Sequence, residues 1–199
     1  MSSEQEAHAP PASAQEAQDY LPVFDLDFTL WPFDCDKDAI SPFTFIPHVG
    51  TIDRFGRYAE PFKEVRKIFE DLAEAGKKVA IASRNPSQGS CEELLRAIKI
   101  SPPSKKDITC LWDLVGPGLF HAYSSQGRPG KTRHFEAIKE ASGVDYGNMI
   151  FFDDLPENIA YAATSGIVAN YVKKGLTQEA FKNGIELWRK KLNPSTPNQ

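Results

Sequence analysis

The fold of this chain is decided by the stretch Val23-Phe24-Asp25-Leu26-Asp27-Phe28-Thr29-Leu30-Trp31-Pro32. The stretch begins with an apolar run that is typical of a buried strand, and a proline ends it. Asp25 and Asp27 stand where the strand should end. Ligands of an open parallel sheet bind outside the carboxyl ends of its strands. Two carboxylates at such a point can supply a nucleophile, a metal ligand and a proton-transfer group, which phosphoryl transfer through an aspartyl-phosphate requires.

Composition narrows the class of protein. The chain has 199 residues, of which 41% are hydrophobic and 25% charged, and this predicts one globular domain with a sizeable core. A net charge of -4 with scattered Lys and Arg residues disfavours nucleic acid as a partner. No run reaches the roughly 20 apolar residues of a membrane helix, and the first residues lack the pattern of a secretory signal. We therefore expect no membrane contact.

The cysteines indicate the compartment and exclude one reaction class. Cys35, Cys91 and Cys110 lie far apart without Cys-x-x-Cys spacing, which favours reduced thiols over disulfides or a zinc site. None of them is followed by Arg six positions later, and this excludes a tyrosine phosphatase with a cysteine nucleophile. We expect a cytoplasmic monomer, with the nucleus as the alternative location.

The chain divides into a central domain and two tails. Residues 1–19 are rich in Ala, Ser, Gln, Glu and Pro and lack aromatic residues, so they cannot bury enough apolar surface to offset the entropy of ordering. We expect a disordered tail over 1–19, a single domain over 20–192 with a flap insert at 33–60, and a C-terminal tail over 193–199. Within the insert, Asp53-Arg54-Phe55-Gly56 predicts a hairpin turn.

Apolar runs alternate with amphipathic stretches along the domain. The predicted strands are 20–24, 78–82, 119–123, 149–152 and 167–172, and the predicted helices are 61–75, 91–98, 132–141, 156–164 and 178–191. Residues 101–118 predict an irregular loop or a short helix on the surface. Strict alternation of this kind implies an α/β fold with a parallel sheet covered by helices on both faces.

Polar groups at the other strand ends complete the chemistry of the opening stretch. Asp25 can attack phosphorus, while Asp27 can protonate the leaving oxygen and later deprotonate the attacking water. Ser83 ends the second strand and can bind phosphate oxygens. Lys131 stands just ahead of a helix and can neutralise charge on the phosphate.

A third group of carboxylates predicts a metal ion. Asp153 and Asp154 follow the buried run 150–152, and with Asp25 they would place three negative charges in one pocket. Without a cation that crowding would raise the pKa values of the carboxyls and disarm the nucleophile. Mg²⁺ is a hard ion that takes carboxylate oxygens. Together with Lys131 it would bring the pocket close to neutrality.

These motifs resemble those of a known superfamily. Asp-x-Asp-x-Thr at 25–29, Ser83, Lys131 and the pair Asp153-Asp154, in that order, look like the four motifs of the haloacid dehalogenase superfamily. Within this superfamily, the residues around the four motifs are similar to those of the eukaryotic magnesium-dependent phosphatase family. The matching segments are Phe-Asp-Leu-Asp-Phe-Thr-Leu-Trp-Pro-Phe, Ala-Ser-Arg, Lys-x-x-His-Phe and Phe-Phe-Asp-Asp-x-x-x-Asn-Ile.

The resemblance implies roles for individual residues. Asp25 would be the nucleophile and Asp27 the acid and base, with its backbone carbonyl on Mg²⁺. Asp153 would bind the metal directly, and Asp154 directly or through water. The residues expected to contact phosphate or substrate are Leu26, Thr29, Trp31, Ser83, Arg84 and Lys131.

The resemblance also implies a fold and a class of substrate. The fold would be a three-layer, Rossmann-like arrangement with a five-stranded parallel sheet in the order 5-4-1-2-3. Members of the family act on phosphotyrosine-like substrates or sugar phosphates, including phosphorylated sugars attached to protein amines. A protein tyrosine phosphatase activity is therefore among the expectations.

The length of the insert predicts an open site. Between Asp27 and Ser83 there is room for a flap but hardly for a large cap domain. An uncapped cleft admits bulky substrates and excludes water less well. We expect residues 43–58 of the flap, Trp31 and Arg84 to contact the leaving group.

One alternative belongs to another functional class. A receiver-like signalling module also combines an acidic pair, an aspartate, a hydroxyl and a lysine, and it holds its phospho-aspartate without turnover. In this chain the acidic pair comes last, and Asp27 offers the base that a long-lived phospho-aspartate should lack. The phosphatase is therefore the favoured hypothesis.

Overall fold

Strands and helices alternate in the structure as the sequence predicts. The structure is a computed structural model that describes residues 19–125 and 127–193. The predicted tails, 1–19 and 193–199, lie outside these ranges apart from Asp19 and Asn193. No helix within the described ranges is long and apolar enough to cross a membrane.

The elements have the following bounds. The strands are β1 Leu21–Phe24, β2 Thr44–Ile46, β3 Gly50–Ile52, β4 Val79–Ser83, β5 Val115–Ala122, β6 Met149–Asp153 and β7 Val168–Tyr171. The helices are α1 Val65–Glu74, α2 Gln88–Ala97, α3 Thr132–Ser142, α4 Pro156–Thr164 and α5 Gln178–Leu192. Short 3₁₀ turns at Leu111–Leu114 and Tyr146–Asn148 precede β5 and β6.

Five of the strands form one parallel sheet with β1 at its centre. The order of neighbours is β5-β4-β1-β6-β7, and every pairing is parallel. This differs from the expected order 5-4-1-2-3 in its numbering, because β2 and β3 form a separate two-stranded sheet and take two of the numbers. Counted over the large sheet alone, the strands run 3-2-1-4-5, which is 5-4-1-2-3 from the opposite edge.

The two faces of the sheet bury separate apolar cores. Neighbouring residues of a strand point to opposite faces, so Phe24 and Val23 of β1 lie in different clusters. Phe24 packs with Phe69 of α1 and with residues of α2 and α5. Val23 belongs with Phe135 of α3 and with Ala162 of α4. The domain therefore has the predicted three layers.

Several boundaries differ from the prediction because long-range hydrogen bonds end the local pattern. Helix α1 begins at Val65 instead of Pro61, since the Phe62 N–H donates to the Leu30 carbonyl (2.9 Å) and a tight turn follows. Strand β5 begins at Val115, inside the segment predicted to be irregular, and pairs with Val79. The register between β4 and β5 shifts beyond that pair.

The insert forms a small flap and not a large cap. Strands β2 and β3 pair antiparallel, and the predicted turn at 53–56 follows, closed by a hydrogen bond from the Gly56 N–H to the Asp53 carbonyl (2.9 Å). Beyond β3 and this turn, Ile52 bridges to Tyr58. Between Asp27 and Ser83 the helical content is confined to α1 and isolated turns. The site therefore has no helical cap from this insert.

We expect Asp53 to stabilise the flap. Its side chain is buried, and although burial raises the pKa, bonds from Arg57 and from the Arg57, Phe55 and Ile40 N–H groups lower it to about 2. Asp53→Asn should lower the free energy of unfolding at pH 7 by about 1–3 kcal/mol, because the ionised acceptor is lost. Urea unfolding measures this change.

The effect of Asp53→Asn on stability should depend on pH, and the direction of this dependence is a control. A lowered pKa contributes stability above the ordinary value of about 3.9, and this stability is lost as the pH falls towards 2. The difference between wild type and Asp53→Asn should therefore shrink below about pH 4. Asp71→Asn, which removes an exposed partner of Lys67, should have little effect at either pH, and an equal effect of the two variants would contradict the prediction.

Candidate active site

Carboxylates meet at the carboxyl edge of the central strands. Strands β1 and β6 pair with Phe24 opposite Phe152, and the Asp25 N–H donates to the Phe152 carbonyl (3.0 Å). This register places Asp25 beside Asp153, the last residue of β6. Oxygens of Asp25, Asp153 and Asp154 lie within 4.8 Å of one another. The structure thus brings together the three carboxylates expected to hold a metal.

Lys131 connects these carboxylates to the neighbouring strand. Its side chain is 1% exposed, and its Nζ lies 2.5 Å from Asp25 Oδ1, 2.7 Å from Asp153 Oδ2 and 2.5 Å from the Ala82 carbonyl of β4. Gly130 before it has a φ of 55°, and a Cβ there would meet the Tyr161 side chain at 2.8 Å. The tight approach to Lys131 therefore requires glycine.

One ammonium does not balance three carboxylates. Burial raises the pKa of Asp25, the Lys131 charge opposes the rise, and the Asp153 charge adds to it. Burial and the Asp153 charge also raise the pKa of Asp154. Three carboxyl groups beside a single ammonium stay ionised together more readily when a further cation is present. Three carboxylate oxygens at this spacing fit a hard divalent ion such as Mg²⁺.

Three nitrogen donors hold the Asp27 carboxylate. Its Oδ1 accepts hydrogen bonds from Trp31 Nε1 (2.7 Å) and from the Cys35 N–H (3.1 Å), and its Oδ2 accepts one from Asn85 Nδ2 (2.7 Å). Burial raises the pKa of Asp27, and these three bonds lower it. Asn85 was not among the predicted site residues, although its place two positions after Ser83 at the end of β4 could have indicated it.

Three of the residues expected to contact phosphate or substrate have buried side chains. Trp31 is 0% exposed and its indole N–H is bound to Asp27, so it is not available to the leaving group. Thr29 is also buried and donates its hydroxyl to Asp25 Oδ2 (3.3 Å). Leu26 is buried too, and its backbone N–H bonds to Asp25.

A tight turn after β1 explains why these side chains are buried. The Thr29 and Leu30 N–H groups both donate to the Leu26 carbonyl (3.1 and 2.7 Å), and Phe28 has a positive φ of 58°. The turn directs Thr29 and Trp31 inwards and leaves Phe28 44% exposed. A pattern of apolar residues does not reveal such a turn, so Phe28 was missed as a residue at the mouth of the site.

The site opens into a cleft of about 380 Å³. At its floor, Ser83 is nearly buried, and its Oγ accepts a bond from the Asn85 N–H (3.2 Å), which leaves the hydroxyl hydrogen free to donate. The other residues that line the cleft are Asp25, Asp27, Phe28, Asp34, Asp36, Lys37, Arg84, Asn85, Pro86, Lys131, Asp154, Leu155 and Asn158. Residues 43–58 of the flap do not line it, and the insert contributes Asp34, Asp36 and Lys37 from its first part. The flap hairpin therefore does not form a wall of this cleft, contrary to the expectation that it contacts the leaving group.

His134 fastens the start of α3 to the end of β4. Its Nε2 lies 2.8 Å from the Ser83 carbonyl and 3.0 Å from the Tyr123 carbonyl, so Nε2 carries the hydrogen. Its ring stacks on Tyr123 with centroids 4.3 Å apart, and its buried Nδ1 has no hydrogen-bond partner within the described residues. Burial, and next the Lys131 charge, lower the pKa of His134 to about 4. A neutral imidazole therefore holds α3 against the backbone of Ser83 and Tyr123.

Comparison with known proteins identifies the family of the chain. The model of the acid phosphatase family matches residues 20–191. The chain is 29% identical over 170 residues to Magnesium-dependent phosphatase 1 of Homo sapiens, covering 85% of this chain and 87% of that protein. It is also 29% identical over 141 residues to a HAD-like hydrolase superfamily protein of Schizosaccharomyces pombe, covering 68% and 76% of the two chains.

Solved structures share the fold. The N-terminal part of a Bacteroides fragilis protein, which contains a phosphatase domain complexed with Mg, has a TM-score of 0.53 at 17% identity. That match covers 90% of this chain and 41% of the other. A D,D-heptose 1,7-bisphosphate phosphatase of B. bronchiseptica, complexed with magnesium and phosphate, has a TM-score of 0.50 at 15% identity, covering 82% and 86%.

We expect His134 to make stability depend on pH. Because the pKa of the folded form is about 4 and that of the unfolded form about 6.5, the unfolded chain binds the proton first. The stability that the neutral His134 side chain contributes is fully present above about pH 6.5. It is lost as the pH falls towards 4, and the total loss is about 3 kcal/mol. Between pH 7 and 4.5, the free energy of unfolding measured in urea should decline less in His134→Gln than in the wild type. An unchanged decline in that variant would contradict the prediction, and His48→Gln, at an exposed position, is the matched control.

Proposed function

The chain belongs to the acid phosphatase family, and on this premise we propose that it is a magnesium-dependent phosphomonoesterase that works through an aspartyl-phosphate on Asp25. One observation carries the proposal. Asp25, Asp153 and Asp154 meet around Lys131 at the floor of an open cleft, with the Asp27 carboxylate beside them. We infer that residues 20–192 act as one phosphatase domain, with 33–60 as its flap.

The contacts of Asp25 support its role as nucleophile. Lys131 holds Oδ1, and Thr29 donates to Oδ2 from below. These bonds favour the ionised carboxylate and limit its rotation. In the first step an Asp25 oxygen forms a bond to phosphorus while the bond from phosphorus to the leaving oxygen breaks. The product is a phosphoenzyme and the free alcohol.

Asp27 completes the proton transfers. It lines the same cleft but does not contact Lys131, so its environment differs from that of Asp25. In the first step it gives a proton to the leaving oxygen. In the second step it takes a proton from the water that attacks phosphorus, and Asp25 is released. This second step distinguishes a phosphatase from a receiver-like module, which would keep its phospho-aspartate.

Ser83 and Lys131 are placed to bind the phosphate. The free hydroxyl hydrogen of Ser83 and the Lys131 ammonium both face the cleft floor. When bound by Asp25, Asp153, Asp154 and the Asp27 carbonyl, Mg²⁺ would offset the charge of the nucleophile and the phosphate and orient the two for reaction. The balance of three carboxylates against one ammonium supports this requirement.

We propose that the substrates are protein phosphotyrosine or sugar phosphates, including sugar phosphates attached to protein. The rim of the cleft is the basis for this proposal. The segment between Asp27 and Ser83 forms no helical cap over the cleft, so a side chain on a folded protein can enter. Phe28 and Leu155 offer apolar surface, being 44% and 38% exposed. Arg84 lines the rim half-buried and forms no ion pair within the described residues. Its guanidinium is available to a second anionic group of the substrate.

Loss of the nucleophile tests the proposed reaction. Asp25→Asn should lower the turnover of p-nitrophenyl phosphate by about 10³-fold or more, since no aspartyl-phosphate can form. EDTA should abolish wild-type turnover, and added Mg²⁺ should restore it. Activity that survives either change would refute the proposal, and Asp71→Asn is the control. A wild-type phosphoenzyme that persists for minutes would favour the receiver-like alternative.

Arg84 should select among substrates. Arg84→Ala should raise the KM for a phosphotyrosine peptide with neighbouring acidic residues by about tenfold, because one charge-assisted hydrogen bond is lost. The KM for a neutral aryl phosphate should change far less. Steady-state kinetics with both substrates measures the difference. Arg96→Ala on α2, outside the cleft, provides the control, and equal changes for both substrates would contradict this role.

A further inference from the structure

The two oxygens of Asp27 are not equivalent. Each carboxylate oxygen has two lone pairs for hydrogen bonds. Oδ1 accepts from Trp31 Nε1 and from the Cys35 N–H, which uses both of them. Among the described residues, Oδ2 accepts a hydrogen bond only from Asn85 Nδ2. One lone pair of Oδ2 therefore remains for the contents of the cleft.

The position of the donors agrees with this difference. Trp31 is fully buried, so Oδ1 faces the interior of the domain. Asn85 lines the cleft, as Asp27 does. The oxygen bound to Asn85 is thus the one on the side where a substrate would lie.

Asn85 itself is held in a single orientation. Its Oδ1 accepts a hydrogen bond from the Ser87 N–H (2.8 Å), which assigns the amide oxygen to that side and the amide nitrogen to Asp27. The Nδ2 group also lies 3.5 Å from Cys35 Sγ. The backbone N–H of Asn85 donates to Ser83 Oγ (3.2 Å), so the same residue supports the phosphate-binding hydroxyl. Asn85 is 8% exposed, which limits alternative rotamers.

We propose that Asn85 is a positioning residue for proton transfer, which holds Asp27 so that Oδ2, and not Oδ1, carries the proton exchanged with the substrate. This inference rests on the proposed function. In the first step the Oδ2–H proton passes to the leaving oxygen, which keeps the electron pair of its broken bond to phosphorus. In the second step Oδ2 takes a proton from the attacking water, and the electrons of the bond between Asp25 and phosphorus return to the Asp25 carboxylate.

The dependence on the leaving group tests this role. An alkyl phosphate needs a proton on its leaving oxygen, whereas p-nitrophenolate leaves as a stable anion. Removing a positioned general acid costs about 10²–10⁴-fold when the proton is needed. Asn85→Ala should therefore lower kcat/KM by at least about tenfold more for an alkyl phosphate than for p-nitrophenyl phosphate. The ratio kcat/KM reports the first chemical step and excludes the later attack by water.

Two further variants keep the test decisive. Asn85→Leu keeps much of the side-chain volume and adds no charge, but it removes the donor to Asp27, so it should show the same selective loss even if Asn85→Ala folds poorly. Asn193→Ala, at the exposed end of α5, should change neither substrate. Circular dichroism and urea unfolding establish that each variant is folded.

The outcomes separate this inference from the proposed function. If the wild type hydrolyses neither ester, or if Asp25→Asn remains active, the proposed function itself fails. If the wild type is active and needs Asp25, but folded Asn85 variants lose the same factor on both esters, the positioning role of Asn85 is overturned. A selective loss on the alkyl phosphate supports it.

Discussion

The structure depends on a buried concentration of negative charge at the carboxyl edge of its sheet. Asp25 and Asp153 lie side by side because β1 and β6 pair in parallel, and Lys131 bonds to both while it is 1% exposed. Removing such charges from water costs several kcal/mol for each ion, and only tight pairing offsets the cost. The arrangement is therefore difficult to explain by stability alone and is readily explained by chemistry.

The surroundings of the cluster meet this cost through hydrogen bonds. Asn158 Nδ2 and the Leu155 N–H donate to Asp153, and the Ala82 carbonyl accepts from Lys131. Asp27 sits apart and is bound by neutral donors instead of an ammonium. Two carboxylates two positions apart thus occupy different electrostatic environments, which is what a nucleophile and a proton carrier require.

Much of the fold was predictable from short patterns. The alternation of apolar runs and amphipathic stretches predicts the parallel sheet, and helix α4 has the predicted bounds of 156–164. The predicted boundary of an element was wrong where a distant partner decides it. Helix α1 begins later than predicted because the Phe62 N–H donates to the Leu30 carbonyl. Strand β5 was predicted too short because its first residues, with Gly116 and Pro117, carry no strand signal of their own.

Local sequence patterns alone identify the chemical groups of the site, because two carboxylates, a hydroxyl and an acidic pair stand at strand ends and a lysine directly precedes a helix. Tertiary structure alone decided which of the neighbouring residues face a substrate. A turn with a positive φ at Phe28 sends Trp31 inwards to Asp27 and Phe28 outwards to the cleft. Asn85 joins Asp27 across 58 positions of sequence. No local pattern encodes such a contact, since it exists only after β1 and β4 have paired.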